Sequence, residues 1–167
     1  MTFPAEEMDL GGDVDLLYGL AHTILNTIVG VYEQAGVSLP ARRYVHFGGV
    51  ANDCEQLTVQ VDQHYFGNPG GDPNALQRCG SVRTAVLSVQ LFRPEPTQNQ
   101  RGNAPSADAL DAAAKVHMRD AWLLMTAAGE SDRSRDQWGT GFIAEVSPIE
   151  ASGGYVGIAM SLALQVG

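Results

Sequence analysis

One stretch of regular alternation limits the fold of this chain more than any other feature. Between Arg83 and Arg93 (RTAVLSVQLFR) polar and apolar side chains alternate, and Ala85, Leu87, Val89 and Leu91 share one face. A period of two kept over eleven residues predicts a β-strand with one face against a core. The arginine at each end is expected to let the strand stop in solvent. This strand is therefore the predicted centre of the fold.

Four further strands are expected around it. With the central strand, they are predicted at 42–47, 55–64, 82–93, 142–146 and 155–166. Glycines Gly48 and Gly49 separate the first two, which favours an antiparallel meander for the first three strands. Pro148 is expected to end the fourth strand. The sheet is thus predicted to be mostly antiparallel, with about five strands.

Two long helices complete the pattern. Asp13 is a good N-cap for a helix that ends near Ala35, and its apolar positions cover more than half of the circumference. A helix of this kind needs two covers, its own sheet and either a long loop or a second subunit. Ser106 caps a second helix to about Ala128, with a stripe formed by Leu110, Ala114, His117, Ala121 and Leu124. The element order α-β-β-β-α-β-β gives an α+β class.

The length of 167 residues predicts one domain, 1–167. An acidic N-terminal arm is expected at 1–12, a long inter-strand loop at 62–80 and a polar link at 94–105. Loops this long are usually functional or disordered. The sequence shows no signal-peptide pattern and no apolar run of the ~18 residues that a membrane span requires. The chain is expected to act inside a cell, or to be assembled there into something larger.

The charge balance excludes some partners. The formal net charge is −9. A nucleic-acid reader usually carries a basic stripe, and a protein that binds an anionic membrane surface needs basic residues, so neither partner is expected.

No catalytic, metal or cofactor site is predicted. The chain contains four histidines and two cysteines, but none has the short paired spacing of a zinc site. Cys54 and Cys79 are expected to be free thiols because the predicted strands place them too far apart for a disulfide. Cys54 could serve as the nucleophile of a small hydrolase with His46 or His64, but Asp53 and Glu55 flank it and disfavour a thiolate. A structural role for Cys54 is favoured.

Several local strings resemble one protein family. They are Ala51–Leu57 (ANDCEQL), Cys79 with Arg83–Arg93, Ala104–Asp111 (APSADALD) and Ser152–Val166 (SGGYVGIAMSLALQV). Together with the order of the elements, they resemble the tail terminator proteins of long-tailed phages (siphoviruses), in particular those that infect actinobacteria. The resemblance covers the chain from about residue 50 to its end, with a matching N-terminal helix.

The resemblance implies a virion structural protein rather than an enzyme. Its subunit would have a mixed sheet with the helices packed on one side, and would assemble as a hexameric ring at the head–tail junction. The ring would cap the major tail tube protein, stop its polymerisation and dock to a head-side stopper or connector protein. DNA would pass through the centre without being read, and an acidic passage would repel its phosphates.

The predicted contacts between subunits lie in the loop 62–80, the last strand and the exposed side of the first helix. The residues named for them are Tyr65, Phe66, Leu25, Val29, Tyr32, Trp138 and Tyr155. Two alternatives remain open at this point. One is another neck protein, a head completion or stopper ring. The other is a small hydrolase or ligand-binding domain that uses Cys54.

Overall fold

A computed structural model describes residues 13–49, 53–67, 83–96, 102–133 and 142–166, including the backbone but not the side chains of a few terminal positions in these ranges. The predicted arm 1–12, most of the loop 62–80 with Cys79, and Trp138 lie outside the described residues.

The described residues form one five-stranded sheet and two helices. In chain order the elements are α1 Asp13–Gln34, β1 Arg43–Phe47, β2 Gln56–Phe66, β3 Arg83–Pro94, α2 Ala107–Arg133, β4 Phe142–Ser152 and β5 Tyr155–Val166. The strands lie side by side in the order β1-β2-β3-β5-β4. The predicted α+β class and element order are confirmed, and β3 is the middle strand.

The prediction of a three-stranded antiparallel meander is wrong for β1. This strand pairs in parallel with β2, with Arg43 opposite Leu57 and Phe47 opposite Val61. Alternating hydrophobicity determines which face a side chain occupies but not the direction of the strand. The connection from residue 48 to residue 55 is long enough, at about 3.3 Å per residue, to return to the start of β2. Gly48, at φ +90°, therefore begins a crossover rather than a hairpin turn.

Both helices pack on the same face of the sheet, around one apolar core. From the strands this core takes Leu57, Val59, Val61, Ala85, Leu87, Val89, Leu91, Ile158, Met160, Leu162 and Leu164. α1 contributes Leu20, Ile24 and Ile28, and it packs against α2 as well as against the sheet. The second cover expected for α1 is thus provided by α2. Neither described helix is long and apolar enough to cross a membrane.

Only part of α2 contributes to this core. Leu110 and Ala114, the first two residues of the predicted stripe, are exposed, whereas Leu124 is fully buried. Full burial begins at Asp120, so the stripe prediction is wrong for the first half of the helix. A helical repeat identifies one side of a helix, but it does not show how much of the helix lies over a sheet.

The last two strands form a tight hairpin, which the sequence prediction missed. β4 continues through Pro148 to Ser152, and Gly153 and Gly154 make the turn at φ +60° and +82°. Two consecutive residues with positive φ are the requirement of a type I′ turn. Pro148 is tolerated because β4 is an edge strand, where a residue without an N–H need not break the ladder. β2 is also longer than predicted, since it continues past a bulge at Asp62 to Phe66.

Gly157 lets an aromatic ring pack closely against the backbone on the face of the sheet opposite the helices. It is the register partner of Phe92, whose side chain is only 2% exposed. A Cβ atom at position 157 would lie 2.8 Å from Phe92 Cδ1 and 3.0 Å from the Leu91 carbonyl oxygen. The carbonyl belongs to the central strand and cannot move aside without disturbing the ladder.

We therefore expect Gly157→Ala to destabilise the protein by about 1–3 kcal/mol, the usual cost of overpacking. The measurement is the free energy of unfolding from urea titrations. Gly19→Ala is the matched control, because a Cβ there meets nothing within 4 Å on an exposed turn of α1. Replacing an exposed helical glycine by alanine should stabilise by up to about 1 kcal/mol. Equal effects of the two substitutions would contradict the close approach at Gly157.

Candidate functional site

The most elaborate polar arrangement in the described chain is a buried ion pair between β3 and α2. Arg93 Nε lies 2.6 Å from Asp120 Oδ2, and Arg93 Nη2 donates to Asp120 Oδ1 at 2.9 Å. The Asp120 side chain is fully buried and the Arg93 side chain is 12% exposed. The expectation that Arg93 ends its strand in solvent is wrong, because its guanidinium turns into the protein to meet Asp120.

Three further groups complete this network. The Tyr32 hydroxyl donates to Asp120 Oδ1 at 3.1 Å, and Arg93 Nη2 donates to the Ser38 carbonyl oxygen at 3.2 Å. Glu55 Oε1 lies 3.7 Å from Arg93 Nη1 at a more exposed position. The network thus ties together α1, α2, β3 and the segments that flank β1. Its donors and acceptors are directed at one another, so its geometry supports positioning of the helices.

The network also changes the proton affinity of its neighbours. Burial first, and then the Asp120 carboxylate, raise the pKa of Tyr32 far above its usual range, so its hydroxyl stays protonated. Burial lowers the pKa of His117; the Asp120 carboxylate acts against this shift, and the Arg93 guanidinium reinforces it. His117 is half-buried, one turn before Asp120 on α2. Burial of the His117 imidazole beside the network, rather than the charges of the network, therefore favours its neutral form.

The hydrolase alternative depended on Cys54 and a histidine. Cys54 is a free thiol whose Sγ receives a contact from Arg42 Nη1 at 3.3 Å and lies 3.4 Å from Gln56 Oε1. His64 lies eight residues beyond Gln56 on the same strand, which corresponds to roughly 26 Å. His46 lies opposite Gln60 in the pairing of β1 with β2, and its Nδ1 lies 3.3 Å from the Gly48 carbonyl oxygen. The structure does not bring Cys54 together with either histidine.

The two histidines lie instead at an open apolar cavity of about 480 Å³, which we call the β1 cavity. Its lining comes from the start of α1, the end of β1 and the middle of β2: Leu17, Tyr18, Val45, His46, Phe47, Val61 and His64. Phe47 is 82% exposed at this site. Within the described ranges, no group of three or more His, Cys, Asp or Glu residues is arranged to hold a metal ion. The mainly apolar lining of the β1 cavity therefore suits a mainly apolar ligand or side chain.

A second apolar surface lies on the solvent side of α2. We call it the α2 stripe, and it consists of Leu110, Met118, Trp122 and Met125. Trp122 is 74% exposed and Met118 is 72% exposed. The spacings of four and three residues align Met118, Trp122 and Met125 on one side of the helix, whereas Leu110 lies about two turns before Met118 and about 80° around from it. Large apolar side chains grouped in this way are typical of a binding surface rather than of a monomer's exterior.

The residues predicted for subunit contacts are separated by the fold. Leu25 and Tyr32 are core residues at 7% and 0% exposure, which leaves no surface for the contact predicted for them. Their apolar or aromatic character reflects packing against α2 and the sheet. Val29, Tyr65 and Tyr155 are half-buried, whereas the side chain of Phe66 and all of Trp138 lie outside the described part of the structure.

The α2 stripe and the β1 cavity were both missed at the sequence level. The signal for the stripe was present, since Met118, Trp122 and Met125 recur at helical spacing beside the chosen set. The helix has apolar residues on two sides, and the prediction considered only the side that faces the core in its second half. The β1 cavity has no local signal, because its lining comes from three elements.

Comparison of the chain with models of known protein families gives no match, and comparison with curated protein sequences gives none either.

The buried ion pair can be tested by removing one partner. We expect Asp120→Ala to lower the free energy of unfolding by about 3 kcal/mol, because it leaves the Arg93 guanidinium buried without its carboxylate. Urea titration provides the measurement. Asp111→Ala is the control, since it breaks the exposed pair between Asp111 and Lys115 and should cost no more than about 0.5 kcal/mol. The double variant Arg93→Met/Asp120→Leu should regain much of the lost stability. If Asp120→Ala costs no more than Asp111→Ala and the double variant regains nothing, this account of the ion pair is wrong.

The shifted pKa of His117 predicts a pH dependence of stability. The unfolded chain takes up a proton at His117 near pH 6.5, whereas the folded protein does so only at lower pH. The contribution of His117 to the free energy of unfolding is fully present above about pH 6.5 and is lost as the pH falls toward the lowered pKa of the folded protein. Comparing urea midpoints at about pH 7 and about pH 5.5 should show a smaller loss for His117→Gln than for the natural chain. An equal loss in both would exclude His117 as the source.

Proposed function

We propose that this chain is a ring-forming virion protein of the tail-terminator kind. In this proposal, six copies cap a finished tail tube, stop its polymerisation and present a surface to the head-side connector, while DNA passes through the ring. The protein would act in the virion at the head–tail junction after assembly in the host cytoplasm.

One observation carries the proposal: the described surface exposes large apolar side chains at two separate places. The α2 stripe and the β1 cavity lie on different elements, and neither is covered by another described part of the chain. A subunit that contacts a neighbour on each side needs two such surfaces. A monomeric enzyme or carrier would need only one concave site.

The architecture supports the same proposal. A mixed sheet with two helices on one face is the subunit fold that the resemblance implies. The strings that carry the resemblance include all but the last residue of β3, the first turn of α2 and all of β5. These elements make the centre of the sheet, the start of the second helix and one strand of the β4–β5 hairpin, so the resemblance involves the structural frame of the subunit.

The charge of the chain fits a passage for DNA. With a formal net charge of −9, a ring of six copies would carry a strong negative field. Such a field opposes adhesion of phosphates to the wall, which a passage for moving DNA requires. The buried Arg93 cannot serve as a phosphate contact because Asp120 occupies its guanidinium.

The proposal predicts a specific assembly and a specific target. The purified full chain should form rings with six times the subunit mass, which sedimentation velocity and negative-stain microscopy would measure. Added to tubes polymerised from the major tail tube protein of the same phage, the chain should appear at one tube end and stop elongation. The matched control is the same chain added to DNA-filled heads without tails.

The outcomes separate the candidate roles. Binding to tube ends, with arrested growth, supports the tail terminator. Binding to heads and not to tubes would instead assign the chain to the head-side stopper ring. Continued tube growth at saturating chain, with no binding to heads, would overturn a role in the neck.

A further inference from the structure

We propose that neighbouring copies join head to tail, with the α2 stripe of one copy entering the β1 cavity of the next. The inference rests on the proposed ring function, and it deepens that function by naming the two surfaces that meet. Trp122 is the central anchor of this contact, and Met118 and Met125 are its neighbours.

The direction of the α2 stripe follows from the buried network. Asp120 points toward Arg93 on the sheet and Tyr32 on α1. At about 100° per residue, Met118 and Trp122 each lie roughly 160° around the helix from Asp120. The stripe therefore faces away from both the sheet and α1, on the outer flank of the subunit.

The β1 cavity lies on the other flank. α1 packs over β1 and β2, whereas α2 packs over β4 and β5. The cavity is built from the start of α1 and from β1, which is an edge strand of the sheet, at the side farthest from β4. One subunit thus presents a convex apolar surface on one flank and a concave one on the opposite flank.

Two complementary surfaces on opposite flanks produce a heterologous contact. A two-fold contact would place the same surface on both partners, whereas a convex surface entering a concave one repeats from copy to copy. Such a repeat closes into a ring when the rotation between copies divides the circle, and otherwise forms an open filament. The arrangement is the one that a ring of identical subunits requires.

The chemistry of the β1 cavity suits an indole. Its walls are mainly apolar, with the imidazoles of His46 and His64 among them. An indole buries a large apolar area and carries one N–H donor that needs an acceptor once it leaves water. A neutral imidazole nitrogen is such an acceptor. Methionine side chains beside the indole can adapt to the rest of an irregular cavity.

The charges beside the two surfaces are also complementary. Arg119 lies next to Met118 on α2, and Asp62 lies between Val61 and His64 at the bulge of β2. Both are exposed, and neither makes an ion pair with another described residue. A second copy that brings Arg119 beside this part of β2 would therefore meet a carboxylate that has no ion-pair partner among the described residues, which favours a second copy as the occupant.

The size of the surfaces fits an anchor within a larger interface. A tryptophan that is 74% exposed offers on the order of 150 Å² for burial. A stable contact buries about 800 Å² on each partner, so flanking residues must supply the rest. A few central aromatic residues usually provide most of the binding energy in such an interface.

The test uses two single variants of the full chain. Trp122→Glu disables the stripe and leaves the cavity intact, whereas Phe47→Glu disables the cavity and leaves the stripe intact. Both side chains are mostly exposed, so neither substitution disturbs the core. Ala112→Glu is the matched control, since Ala112 is exposed on the same helix but lies about 15 Å along its axis from Trp122. Sedimentation velocity over a concentration series measures assembly, and circular dichroism checks the fold.

We expect Trp122→Glu and Phe47→Glu each to raise the dissociation constant between subunits by at least about 30-fold, as for loss of a hot-spot residue. Ala112→Glu should assemble like the natural chain. Mixing the two disabled variants should give a one-to-one heterodimer, because one intact stripe and one intact cavity remain. That heterodimer cannot grow further, since its outer surfaces are both disabled.

Other results would overturn the inference. If Trp122→Glu fails to assemble while Phe47→Glu assembles normally, the stripe meets another stripe in a two-fold contact. Normal assembly of both variants would exclude the head-to-tail contact. A natural chain that stays monomeric near 1 mM would also exclude it, because a contact with a dissociation constant of about 1 mM would be half-formed at that concentration. The proposed function fails separately: complementation between the variants without capping of tail tubes leaves the contact in place and removes the tail-terminator role.

Discussion

The arrangement of both helices depends on the buried contact between Arg93 and Asp120. A carboxylate without solvent must be paired and hydrogen-bonded, and Asp120 receives two contacts from Arg93 and one from Tyr32. These partners come from β3 and α1, so the rotation and the height of α2 are both restricted. A buried ion pair often contributes little net stability compared with an apolar replacement, but loss of one partner is costly. Its effect here is to specify one packing of the helices.

This restriction extends to the surface of the molecule. Because Asp120 must face Arg93, the opposite side of α2 must carry Met118 and Trp122 into solvent. A rotation of α2 by one residue, about 100°, would bury part of the stripe and expose the carboxylate. The orientation of the proposed interface is thus determined by a polar contact in the interior rather than by the apolar residues of the interface. The same contact holds Tyr32 in the core, although a contact between subunits was predicted for it.

The sequence was sufficient for features that depend on local pattern. The alternation at 83–93 and around Leu57–Val61 identified the central strands and their buried faces, because a period of two is set by the pleat itself. It could not supply the direction of β1, since a parallel and an antiparallel neighbour bury the same side chains. Nor did it show that Arg93 turns inward, because its partner Asp120 is 27 residues away in a different element. The interface residues Leu25 and Tyr32 were misplaced for a related reason, as their second cover proved to be α2.

An acidic subunit that assembles with copies of itself must overcome like-charge repulsion. The net charge of −9 acts over distances of about 8 Å at physiological salt, beyond which it is screened. An interface made of many scattered polar contacts would bring more carboxylates of the two copies within this screening distance than a compact apolar contact would. A compact contact centred on Trp122 and an apolar cavity gains its free energy from the removal of apolar area, which does not depend on charge. Acidity and a concentrated apolar contact are therefore compatible in one subunit. In the proposed ring, the first would keep DNA off the wall and the second would hold the copies together.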